Sequence, residues 1–112
     1  MEQETTAQGE GYRYTFYPCV PMGQVSNALF LAAVAAEAIH GRVQVQLNGR
    51  FWADPTDQTA TIDAGTKVGQ TVARVFTELV SRKLGEQAFS VERVPVPKTY
   101  GSAATYGPRT RA

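Results

Sequence analysis

The chain has 112 residues, enough for one domain with a buried core. Its 11 Lys and Arg stand against 10 Asp and Glu, so no field of one sign covers the molecule, and any pull on nucleic acid or a membrane must come from a local patch. Cys19 is the only cysteine and His40 the only histidine, which excludes an intramolecular disulfide framework and a zinc site of Cys and His within one chain.

Residues 1–11 combine Glu, Gln, Thr and Gly without apolar periodicity, which predicts an N-terminal tail. They show no basic stretch followed by an apolar one, as a secretory signal would. From Tyr12 to Tyr17 the alternation predicts a strand with Tyr12, Tyr14 and Phe16 on one face and Arg13, Thr15 and Tyr17 on the other, ended by Pro18. Cys19 to Ser26 reads as a loop, with Cys19 as a small buried hydrophobe. Ser26 or Asn27 is the expected cap of a helix running to about His40, with Gly41 its stop. That helix is apolar almost all round, with Glu37 its only charge, so it must be covered on more than one side. Ala32, Ala33, Ala35 and Ala36 would let another backbone approach closely. Its strictly apolar run, Ala28 to Ala36, is far short of the roughly 20 residues a membrane span needs, so no transmembrane segment is predicted.

Val43, Val45 and Leu47 alternate with Gln44 and Gln46 ahead of Asn48-Gly49, the pattern of a strand turning through a two-residue hairpin. That register makes Trp52 a core residue and places Phe51 on the opposite face. Asp54-Pro55-Thr56-Asp57 is turn chemistry, and Thr59–Asp63 is the returning strand. Thr66 is the predicted cap of a second helix, where Val68, Val72, Val75, Phe76, Leu79 and Val80 recur at helical spacing up to Gly85. Phe89 to Val94 alternates again, with Pro95 and Pro97 expected to end its pairing. Lys98 to Ala112 shows no periodicity and is predicted to be a C-terminal tail.

The predicted fold is therefore a single α+β domain over residues 12–97, in the order β-α-β-β-β-α-β, with an antiparallel-rich sheet and two helices on one face. Its other face would carry Arg13, Thr15, Tyr17, Gln44, Gln46, Phe51, Ser90 and Glu92, a mixed polar and aromatic surface open to solvent, partner or ligand.

Catalytic chemistry is hard to assemble from these residues. His40 falls at a helix C-terminus, where a cation or polar end group is favourable. Asp54 and Asp57 lie in a Pro-containing turn, where Asp bonds its own backbone. No nucleophile, base and orienting group can be named together, so no catalytic residue, metal site or cofactor is predicted. Lys67 and Gly69 at the start of the second helix are a candidate anion site, although their spacing matches neither a Walker loop nor a dinucleotide fingerprint. Lys98, Tyr100, Tyr106, Arg109 and Arg111 make the C-terminal segment the one locally basic stretch with interleaved aromatics. Such a stretch can grip phosphates and stack on bases, or dock on a neighbouring protein.

Two resemblances bear on this reading. Gly23 through the Ala-rich helix to Asn48-Gly49 resembles the first half of a phosphocarrier protein of the HPr type. The loop there reads Gln24-Val25-Ser26-Asn27, without the histidine that would carry phosphate. The helix, three-strand meander and helix from Asn27 to Leu84 is similar in order to a double-stranded-RNA-binding domain, but that family's basic cluster is reduced to Lys67 and its Gly-Pro-x-His loop is absent.

The expectation is a non-enzymatic binding or assembly protein, a homo-oligomer or accessory subunit acting through protein contacts in the cytoplasm, without a membrane role. The alternatives are a nucleic-acid binder using Tyr17, Phe51 and the basic tail, and a protein that captures a small anionic, nucleotide-like ligand at Lys67.

Overall fold

In the computed structural model, which describes residues 8–97, the first strand, β1 (Gln8–Phe16), lies at the centre of a four-stranded antiparallel sheet. Helix α1 (Met22–His40) and helix α2 (Arg42–Asn48) follow, then a hairpin of β2 (Phe51–Asp54) and β3 (Thr59–Asp63). Helix α3 (Lys67–Leu84), a 3-10 turn (Glu86–Ala88) and β4 (Phe89–Pro97) complete the domain. The strand order β2-β3-β1-β4 is a split β-α-β arrangement, with α2 inserted after α1. The α+β class and the antiparallel sheet with helices over one face are as the sequence predicts.

Alternation decides which face is covered. Tyr14 and Phe16 of β1 and Ala60 and Ile62 of β3 are buried under Val25, Leu29 and Ala32 of α1 and Val72, Phe76 and Val80 of α3. Phe76 meets Tyr14 edge to face, with ring centroids 4.8 Å apart, and Phe89 lies beside both β1 aromatics. Helix α3 can approach β3 this closely because position 69 is glycine: a Cβ there would collide with the carbonyl oxygen of Asp63. Thr66 caps that helix as predicted, its hydroxyl oxygen accepting from Gly69 N–H at 3.0 Å.

Several predicted features differ. Residues 42–48 form a helix, not a strand, so the order is β-α-α-β-β-α-β. The Val-Gln alternation satisfies a strand pattern, yet both interior positions beside β1 are taken by β3 and β4, and only Val45 of this segment finds the core. Gly41 breaks α1 at φ 92°, and the chain re-enters a helix that closes with Gly49 N–H donating to Val45 O at 2.8 Å. Asn48-Gly49 makes no hairpin, since Gly49 has an extended backbone at φ −95°. The strand pair on which both family resemblances lean is thus missing.

With the hairpin register gone, the faces of β2 exchange. Phe51 packs against the core and Trp52 faces outward, because β2 is aligned by β3, with Phe51 opposite Ile62 and Trp52 opposite Thr61. Helix α1 starts at Met22, after Pro21, so Ser26 and Asn27 sit inside the helix and do not cap it. Cys19 is exposed, not buried.

The ends of the outer and central strands also differ. Strand β1 begins at Gln8 and β4 continues through Pro95 to Pro97. Glu10 O accepts from Ala64 N–H at 2.9 Å, so Glu10 spends its backbone groups on the β3 side. Its β4 partner Pro95 therefore points toward the free rim, where a missing N–H breaks no ladder bond. Residues 1–7 and 98–112, which the sequence predicts to be tails, lie outside the described residues.

Candidate functional site

Two surfaces on opposite sides of the sheet stand out. The first is helical. Val25, Ala28, Leu29, Ala32 and Ala36 of α1 face the core. Phe30, Leu31, Val34 and Ala38 recur at spacings of one, three and four residues on its opposite side, where all four are exposed. Ile39 at the end of α1, and Val43 and Leu47 four residues apart on α2, are exposed as well. These six large apolar side chains other than Ala38 leave between 41% and 66% of their surface open. Residues 43 and 47 escaped prediction as surface groups because they were read on a strand; the signal available was their spacing of one helical turn. Among the described residues α1 is the one helix long and apolar enough to cross a membrane by length and composition, which the broken apolar run did not predict; about a third of it is buried in the domain.

The second surface is the uncovered sheet face. Cross-strand pairing sets Trp52, Thr61, Arg13 and Glu92 in one row and Asp54, Thr59, Thr15 and Ser90 in the next. The predicted outward positions Arg13, Thr15, Ser90 and Glu92 do share this face. A cleft of about 440 Å³ opens on it, lined by Arg13, Trp52, Asp54, Asp57, Thr59 and Thr61, with Val94 to Val96 along one side. Arg13 leans toward Glu92 at 3.5 Å. Asp54 Oδ1 accepts from the amides of Thr56 and Asp57 at 3.1 and 3.2 Å, holding the hairpin turn as predicted.

His40 and Asp63 both have structural partners. His40 Nε2 and Thr71 Oγ1 share a hydrogen bond at 2.8 Å, and Thr71 Oγ1 lies 3.1 Å from Lys67 O. Asp63 is buried and pairs with Arg50, and its other oxygen accepts from Gly65 N–H at 2.8 Å. Gly69 is buried in the helix–strand contact and its N–H is engaged by Thr66, while Lys67 is exposed; the carboxylate and carbonyl of Asp63 neighbour this helix start. No group of three His, Cys, Asp or Glu side chains able to hold a metal ion occurs among the described residues.

A further cleft of about 510 Å³ lies between α3 and β4, lined by Tyr12, Gln70, Arg74, Thr77, Glu78 and Val91 around Tyr14. The Tyr14 hydroxyl and Thr77 Oγ1 share a hydrogen bond at 2.7 Å, and the Ala73 carbonyl oxygen accepts from Thr77 at 2.7 Å. Burial raises the Tyr14 pKa above its ordinary value, against the smaller pull of Thr77, so it is protonated at neutral pH.

Of the predicted contact residues, Tyr17 is exposed just past β1 and Phe51 is turned inward, so the structure does not bring these two together. Lys98, Tyr100, Tyr106, Arg109 and Arg111 lie outside the described residues. No protein-family model, curated protein or solved structure matches the chain, so the geometry described here carries the functional reading by itself.

Proposed function

We propose that this chain is a non-enzymatic assembly module whose copies meet through the outer side of α1, with α2 extending the contact. The observation that carries the reading is the helix with two apolar sides: one is filled by its own core, and Phe30, Leu31 and Val34 on the other are open to water. Each such side chain gains about 1.5 kcal/mol or more on full burial, a driving force that a single copy leaves unused. The stripe suits a second copy of itself, because a two-fold axis sets identical stripes face to face and Ala38 at its end permits close backbone approach. A helix lying on a membrane surface carries Lys and Arg along its polar side. Helix α1 has no Lys or Arg, only Glu37 and His40.

Absolute mass by light scattering on a sizing column tests the proposal. A mass of two or more chains that returns to one chain in Val34→Glu supports it. A wild-type monomer across the accessible concentration range, or an assembly indifferent to Val34→Glu, removes α1 as the contact.

A further inference from the structure

We infer that the cleft on the open sheet face is a binding site for a neutral saccharide. The floor is Thr61, which by register has Trp52 on one side and Arg13 on the other. Although it belongs to the uncovered face, Thr61 is only 7% exposed, and its hydroxyl has no hydrogen-bond partner among the described residues. A buried hydroxyl left in this state loses its solvation without compensation, so a ligand that meets it recovers that loss. Trp52 beside it is 37% exposed, a large aromatic surface at the cleft wall.

The polar groups around the indole decide the ligand class. An anion site would present donors only and a cation site acceptors only. This cleft presents both: the Arg13 guanidinium and the threonine hydroxyls donate, while the Asp57 carboxylate and Asp54 Oδ2 accept. Asp54 Oδ1 is held by two backbone amides, which fixes its second oxygen without using it. Arg13 is drawn toward Glu92 at 3.5 Å, and the two carboxylates of Asp54 and Asp57 outnumber its single positive charge and oppose a phosphate. Sugar hydroxyls donate and accept alternately around a ring whose C–H face is apolar enough to lie on an indole. That combination matches a neutral sugar ring better than a nucleotide, whose phosphate the carboxylates would repel.

Trp52 is the only tryptophan, so its fluorescence reports on this cleft alone. The full chain is titrated with maltotriose, cellotriose and chitotriose, with adenosine monophosphate as the stacking control. A saturable change in emission with at least one of the sugars and none with the nucleotide is expected. Thr61→Val, which keeps the shape of the floor, should weaken binding of that sugar about tenfold, and exposed Asp57→Asn should weaken it severalfold. No saturable response to any of the three sugars overturns the inference, as does a response to the nucleotide alone. Unchanged affinity in both variants, each with wild-type circular dichroism, also overturns it.

Discussion

The Arg50 guanidinium grips the Asp63 carboxylate inside the domain, with only 11% and 4% of the two side chains exposed. Asp63 N–H in turn donates to Arg50 O at 2.8 Å, so side chain and backbone both tie the entry of β2 to the end of β3. Removing one partner would leave a buried charge uncompensated. Asp63→Ala is expected to lower unfolding free energy by about 3 kcal/mol or more in urea denaturation. Arg82→Ala, which breaks an exposed pair with Glu78 on α3, should change it by no more than about 0.5 kcal/mol.

Gly69 and Gly23 make a second contrast. Gly69→Ala forces a methyl group into the Asp63 carbonyl and is expected to destabilise by about 3 kcal/mol. Gly23→Ala sits in the first turn of α1 with nothing within 4 Å of the new carbon, and should stabilise by up to about 1 kcal/mol. Thermal melts of the two variants against the parent check both signs.

Tyr14 gives the pH dependence. Its folded pKa is above its ordinary value near 10 because burial disfavours the phenolate. The folded state therefore holds the proton more tightly than the unfolded one, and this contribution is complete below about pH 10 and is lost as pH rises through the folded value. Tyr14→Phe should flatten the alkaline fall in urea midpoint. At neutral pH it should cost about 1 kcal/mol, for the bond to Thr77.

If copies meet across α1, stability depends on concentration. The parent's Tm is expected to rise with protein concentration. Phe30→Glu should abolish that dependence, whereas Ser90→Glu on the open sheet face should leave it intact. Differential scanning calorimetry at several concentrations checks all three.

Much of this architecture is legible in the residues, and the exceptions have a common cause. Tyr14, Phe16, Ile62 and the Val72–Phe76–Val80 stripe fall where their periods place them, since each period coincides with a buried face. Val43 to Leu47 fits period two and is helical all the same, because a strand there would need a free neighbour in the sheet, and pairing availability is a property of the whole topology. That one reversal carried Phe51 and Trp52 with it, moving the aromatic of the open face by a single position. The Asp54 turn and the Thr66 cap were readable because each needs only three or four consecutive residues. The Thr61 cleft was not, since its walls come from strands far apart in the chain.

Pro95 and Pro97 at the rim of β4 have one more effect. Of the outward-pointing positions Val91, Arg93, Pro95 and Pro97, the last two have no amide to offer an incoming strand, and the opposite rim, β2, is only four residues long. Neither margin of the sheet is a template for adding chain after chain. Growth into fibrils by edge pairing is thereby discouraged in a protein that leaves apolar helix surface in water.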